Sequence, residues 1–185
     1  MLEILSLSLW FLLPAAIANA TPIFAARIPF LSAWSTPIDG GRQWRGKRLL
    51  GDNKTWRGLI SGMAVATLVL YLQQLAVANL SWAEAAAGPV DYANLPVLLL
   101  GPLFGLGALG GDAIESFFKR RLGIKPGRSW IPFDQIDYIL GGIVVSLPFV
   151  VLPIEAYLAM LIVWFVAHLI ASFTGWLLGL KERPI

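Results

Sequence analysis

GGDAIESFFKRRLGIKPGRSWIPFDQIDY, Gly110 to Tyr138, is the stretch on which the fold of this chain turns. It holds four carboxylates, Asp112, Glu115, Asp134 and Asp137, and five fixed cations, Lys119, Arg120, Arg121, Lys125 and Arg128. The sequence on either side is almost uniformly apolar. A charged turn between two apolar runs is the signature of two membrane helices meeting at one face of a bilayer. In a helix, residues i and i+3 share a face, so Asp112 with Glu115, and Asp134 with Asp137, can each aim two carboxylates at one point.

Composition agrees with a membrane solvent. Of 185 residues, 57% are hydrophobic and only 14% are charged, against roughly a quarter charged in a soluble domain. Mean hydropathy is +0.72. There is no cysteine and a single histidine, which excludes disulfide frameworks and Cys- or His-rich metal sites. A metal here needs oxygen ligands, which points to a hard cation such as Mg²⁺.

Working outward, a bilayer-spanning helix takes about 20 mostly apolar residues. Five such segments are expected: Leu5–Ala26, Leu59–Asn79, Leu95–Phe118, Tyr138–Leu152 and Glu155–Leu180. The fourth is short. The segments 27–58 and 119–137 become loops on one side. All 14 Lys and Arg fall in these two loops or after the last span, as Lys181 and Arg183. The positive-inside rule then places both loops and the C-terminus in the cytoplasm and the N-terminus outside. The expectation is an all-α, multi-pass protein of the cell membrane, one domain over residues 1–185. The small residues of AIANA before Thr21 resemble a signal cleavage site, but the basic n-region is missing, so a retained first helix is expected.

Each charged group has two readings. Asp134 and Asp137 suit a helix N-terminus, where capping and the dipole favour anions. Asp112 and Glu115 lie toward a helix C-terminus and close to the bilayer, where anions are disfavoured. Either Lys119, at i+4 from Glu115, or a metal ion compensates them. KRRLGIKPGR, Lys119 to Arg128, either binds phosphates or meets anionic headgroups. GDNKTWRG, Gly51 to Gly58, puts Lys54 and Arg57 one turn apart where a helix begins. That suits an anion or an interfacial anchor built on Trp56. PIDGG, Pro37 to Gly41, reads as a turn. Asn19 and His168 sit at membrane depth, where interhelical hydrogen bonding is the expected role.

Several of these segments together resemble the membrane CTP-transferases that make CDP-activated lipids, above all the archaeal CDP-archaeol synthases. The resemblance is carried in order by NATP (Asn19–Pro22), PIDGG, RLLGDNKTWRG, GDAIESFFKRRLGIKPG (Gly111–Gly127) and DQIDYILGG (Asp134–Gly142), over nearly the whole chain. The related bacterial phosphatidate cytidylyltransferases carry His-Gly-Gly before their paired aspartates, where this chain has WIPFDQID.

The resemblance implies attack of a lipid phosphate on the α-phosphorus of CTP, with pyrophosphate leaving. It implies Mg²⁺ held by Asp112, Glu115, Asp134 and Asp137, with Lys119 also in the catalytic set. Lys119, Arg120, Arg121 and Lys125 would bind the nucleotide phosphates. Lys54 and Arg57 would bind lipid phosphate or nucleotide. CTP, a lipid phosphate and the membrane are the partners implied, with no nucleic acid and no obligate protein partner. The rivals are a diacyl-lipid phosphatidate cytidylyltransferase, a transporter with a carboxylate site, and a non-enzymatic scaffold.

Overall fold

The computed structural model describes residues 2–126 and 128–179. Lys181, Arg183 and the end of the expected fifth span at Leu180 lie outside the described residues, as does Gly127. The elements in chain order are α1 (Leu2–Ala25), α2 (Pro29–Ser32), β1 (Gln43–Trp44), β2 (Lys47–Arg48), α3 (Trp56–Asn79) and α4 (Ser81–Ala87). A 3-10 turn (Tyr92–Asn94), α5 (Val97–Leu122), α6 (Phe133–Ser146) and α7 (Ile154–Leu177) follow.

Four helices, α1, α3, α5 and α7, are long and apolar enough to cross a membrane. At about 1.5 Å per residue, their 24 to 26 residues exceed the roughly 30 Å hydrocarbon core. The fourth expected segment differs. Helix α6 has 14 residues, about 21 Å. It starts at Phe133 rather than Tyr138, taking both aspartates into its first turns, and stops at Ser146, two residues before Pro148. Hydropathy continues to Leu152, but a proline lacks the N–H that a continuing helix needs. The apolar tail instead runs on without helix and buries Leu152 in the core. Helix α5 in turn runs past Phe118 to Leu122, so Lys119, Arg120 and Arg121 are helical rather than in a loop. Gly123, with φ of 77°, ends it in the left-handed conformation that glycine adopts freely.

Helix α5 packs against α1, α3 and α6, while α7 rests on α1 and α6. The core is built from Leu12, Ala15, Leu100, Phe104, Ala108 and Ile139, all fully buried. Phe11 meets Phe104 edge-on with ring centroids 5.8 Å apart. Trp164 donates from Nε1 to the Ser8 carbonyl at 2.8 Å, tying α7 to α1. Tyr138 donates to the Trp164 carbonyl at 3.2 Å, tying α6 to α7. The outer faces carry Leu68, Leu98, Val144 and Ile162, each more than half exposed. A belt of that kind is matched by lipid rather than water.

The segment between α1 and α3 is ordered, and it supplies the one departure from all-helix among the described residues. Its strands β1 and β2 pair antiparallel, Gln43 with Arg48 and Trp44 with Lys47. Arg45 and Gly46 turn the hairpin with positive φ, 52° and 73°, as a two-residue type I′ turn requires. PIDGG is a turn: Gly40 N–H donates to the Pro37 carbonyl at 3.1 Å. Thr55 then caps α3, accepting from Gly58 N–H at 3.2 Å.

Candidate active site

The i, i+3, i+4 and i+7 spacing of Asp112, Glu115, Ser116 and Lys119 puts them on one stripe of α5. Asp134 and Asp137 lie on the first turns of α6, which packs directly against it. Asp112, Glu115 and Asp137 each offer a carboxylate oxygen, and these three oxygens lie within 4.8 Å of one another. Glu115 is 6% exposed, and its Oε1 has no hydrogen-bond partner. Lys119 Nζ stands 3.3 Å from that oxygen as an ion pair.

Asp134 is placed differently. Its Oδ1 accepts from Lys119 Nζ at 2.7 Å and its Oδ2 from Trp130 N–H at 2.8 Å. It closes the turn entering α6 and belongs to the Lys119 side of the cluster, beside the three-carboxylate group. Asp137 Oδ1 accepts from its neighbour Tyr138 N–H at 2.6 Å, holding the carboxylate against its own backbone. Lys54 reaches over from the loop before α3 and pairs with Asp112 Oδ2 at 2.6 Å.

These groups line a cleft of about 650 Å³, within the range of small-molecule sites. Its walls come from α1 (Asn19, Pro22, Ile23), the loop 50–55, the start of α3, the charged end of α5, α6, and His168 of α7. One end is therefore strongly charged and another is walled by apolar side chains of α1.

The expected cations divide. Lys54, Arg57, Lys119 and Arg120 line the cleft; Arg121 and Lys125 are not among its walls. Arg121 turns the other way. It donates to the carbonyls of Trp44, Lys47 and Arg48, and its guanidinium lies over the rings of Phe117 and Trp44 at 4.9 and 5.2 Å. Lys47 Nζ returns a hydrogen bond to the Arg121 carbonyl at 3.0 Å. Arg121 thus fastens the hairpin to α5. Arg57 faces the cleft but also donates to the carbonyls of Leu31 and Ser32, both at 3.1 Å, holding α2. Lys125 is exposed.

Asp39 holds the same loop from within. It accepts from Gly41 N–H and Leu50 N–H, both at 3.0 Å, and from the Arg48 guanidinium at 2.9 Å. Burial alone would raise its carboxyl, but these donors outweigh burial and hold it below the usual carboxylate range.

Ser116, Asn53 and Thr55 also face the cleft without having been singled out from the sequence. Ser116 had a usable signal, standing four residues after Asp112. Asn19 and His168, expected to bond between helices, line the cleft; the His168 ring lies 5.9 Å from that of Tyr138.

Comparison with known proteins matches the chain over nearly its whole length. The family model described as CarS-like CDP-archaeol synthase matches residues 1–185. The CDP-archaeol synthase of Thermococcus gammatolerans is 36% identical over 179 residues, covering 96% of this chain and 94% of that protein. That of Aeropyrum pernix is 39% identical over 179 residues, covering 94% and 88%. A solved structure described as an intramembrane enzyme for archaeal membrane lipids biosynthesis superposes with a TM-score of 0.70 at 34% identity, covering 89% of this chain and 91% of its own. With the family model spanning its full length and relatives above 30% identity throughout, this chain belongs to the CDP-archaeol synthase family.

Proposed function

We propose that this chain is a CTP:lipid-phosphate cytidylyltransferase and that the cleft between α1, α5 and α6 is its active site. An oxygen of the lipid phosphate attacks the α-phosphorus of CTP. The bond from that phosphorus to the bridging oxygen breaks, pyrophosphate leaves, and a CDP-lipid remains. An ether-lipid phosphate of the archaeal type is the lipid in this reading, since the relatives are named CDP-archaeol synthases. The observation that carries the proposal is the three-carboxylate cluster, with Glu115 buried, facing a cleft lined by Lys54, Arg57, Lys119 and Arg120.

Phosphoryl-type transfer asks little covalent work of a protein; it asks for positioning and charge neutralisation. Three carboxylate oxygens within 4.8 Å of one another, against the single cation Lys119 on Glu115, make an oxygen-only donor set that fits a hard cation such as Mg²⁺. Asp112, Glu115 and Asp137 would hold it, with Asp134 beside them on Lys119. When bound, Mg²⁺ supplies charge neutralisation between the carboxylates and the nucleotide oxygens. Lys119 and Arg120 bind the β- and γ-phosphates and stabilise the departing pyrophosphate. Lys54, just before α3, and Arg57, in its first turn, orient the attacking lipid phosphate. Ile23 and Pro22 give the first apolar contacts to its chains, while Asn19 and His168 flank the headgroup.

The same reading gives the chain five crossings, with α6 and its apolar tail as the short fourth. The N-terminus is outside and the cleft faces the cytoplasm, where CTP is. The segregation of all 14 cations supports this orientation. The test is transfer from α-³²P-labelled CTP in liposomes with Mg²⁺. One reaction holds an unsaturated ether-lipid phosphate and the other a diacyl phosphatidic acid. Label is expected in the organic phase, faster with the ether lipid. No transfer to either by folded protein would refute the assignment.

A further inference from the structure

The backbones of α5 and α6 approach more closely than any side chain permits, and one of these contacts lies beside the carboxylates. A Cβ built on Gly111 would fall 2.3 Å from the carbonyl oxygen of Asp137 and 2.8 Å from its carbonyl carbon. One turn away, a Cβ on Gly107 would fall 2.4 Å from the Gly141 carbonyl oxygen, and one on Gly141 only 1.9 Å from that of Gly107. Gly110, adjacent in sequence, has nothing within 4 Å. Small residues at i and i+4 are a general device for close helix contact in membranes. At Gly111 the contact has a more specific consequence. The peptide it touches joins Asp137 to Tyr138, and the N–H of that peptide holds the Asp137 carboxylate at 2.6 Å. Any displacement of this peptide therefore passes directly to the carboxylate. Asp112 follows Gly111 in the chain, and the buried Glu115 stands one turn beyond.

We propose that Gly111 is a positioning residue for catalysis: by letting the α6 backbone rest on α5, it sets the separation of Asp137 from Asp112 and Glu115. An ordinary carbon-to-carbonyl contact is about 3.3 Å, so a methyl at Gly111 moves the Asp137 peptide away by about 1 Å. A displacement of that size is enough to spoil a coordination or catalytic geometry. Gly107 and Gly141 make a still tighter contact, but one that bears on packing a turn away from the carboxylates. The inference rests on the reading that the three carboxylates hold a divalent cation.

The experiment uses the full chain in detergent with Mn²⁺ as probe, free Mn²⁺ being read by electron paramagnetic resonance and folding by thermal unfolding. Gly111→Ala is expected to weaken Mn²⁺ binding about tenfold or more. Gly110→Ala should bind as the unsubstituted protein does. Gly107→Ala should lower Tm about as much as Gly111→Ala yet weaken binding less than about threefold. Asp137→Glu should weaken binding in the natural background but partly restore it beside Gly111→Ala, because the longer side chain spans the added gap. Equal binding losses in Gly107→Ala and Gly111→Ala, or no loss in Gly111→Ala, would overturn the proposal. So would failure of Gly111→Ala to fold, which would make the contact one of folding alone. Asp137→Asn tests the underlying reading separately: unchanged Mn²⁺ binding there would remove the cluster itself, whatever the glycine variants do.

Discussion

The two charged regions of the molecule are built on opposite principles. On α5 and α6 the charges are few, fixed on rigid helices, and turned inward: Asp112, Glu115, Asp137 and Lys119 all face the cleft. In the segment between α1 and α3 the charges are many, but most serve the segment itself. Arg48 pairs with Asp39 and Asp52, and Arg57, in the first turn of α3, holds the carbonyls of α2. Arg121 does the same work from the side of α5. Lys54 is the residue of that segment that crosses to a carboxylate of the cluster. Arg57 and Arg121 bind backbone carbonyls, whereas Lys54 and Lys119 bind the acids of the site. A guanidinium fork can bridge several carbonyls at once, whereas an ammonium is a compact charge that can change partner. Density of cations is therefore a poor guide to which ones meet substrate.

The sharpest way to break this contrast is to neutralise the inward set. Asp112→Asn, Glu115→Gln and Asp137→Asn are each expected to lower CTP transfer by about 10²–10³-fold, the scale of losing one preorganised charge at a reacting centre. Chelation of divalent cations should abolish transfer in all of them and in the unsubstituted protein. Normal turnover in folded Asp137→Asn would dissolve the distinction between the two regions.

The two cleft lysines differ in burial, and that ranks their structural effects. Lys119 and Glu115 have side chains 10% and 5% exposed, while Lys54 and Asp112 have 20% and 28%. Lys119→Met leaves two acids without their cation in a buried setting and is expected to destabilise the fold by roughly 3 kcal/mol. Lys54→Met should remove less than about 1 kcal/mol, as a more solvated pair, while still lowering transfer. Thermal unfolding of the two variants side by side checks this, and equal shifts would contradict it.

Arg120 and Arg121 sharpen the comparison at adjacent positions. Arg120→Met is expected to raise KM for CTP about tenfold, the loss of roughly 1.4 kcal/mol of phosphate binding. Arg121→Lys should leave that KM within about twofold while freeing the hairpin, with a stability loss of about 1.5 kcal/mol for a charged hydrogen-bonding group. Protease cleavage between residues 42 and 48 should then appear in Arg121→Lys and not in Arg120→Met.

These two arginines also show what the sequence could and could not disclose. Pairing of Asp112 with Glu115, and of Asp134 with Asp137, was legible because it depends only on helical period. Neighbouring helix positions diverge by about 100°, and which of Arg120 and Arg121 faces the cleft is decided by a hairpin more than 70 residues away. No local pattern carries that. Lys119 as the partner of Glu115 was legible at i+4; its stronger bond to Asp134 spans two helices. The bundle was legible from apolar run length. The brevity of the fourth span was legible, but its bounds were not: hydropathy does not register Pro148, which stops a helix without interrupting the apolar run. The order of the 27–58 segment was missed too, because its Asp39 hub draws on donors at Gly41, Arg48 and Leu50 that only the folded loop collects.

That hub gives the smallest expected effect and a signed one. The Asp39 carboxyl is held below its ordinary range in the folded protein. Its contribution is thus fully present above the unfolded value, near 4 for an aspartate, and is lost only as pH falls through the lowered folded value. Amide exchange at Gly41 and Leu50 should therefore show constant protection from pH 8 to about 5, and protection should fall on further acidification below about 4. In Asp39→Asn the same amides should be less protected at neutral pH, by about 1.5 kcal/mol, and the acid step should vanish. Were the loop held mainly by the Arg121 fork, the acid step would be missing from the natural protein as well. The site would then depend on α5 for its shape at both walls.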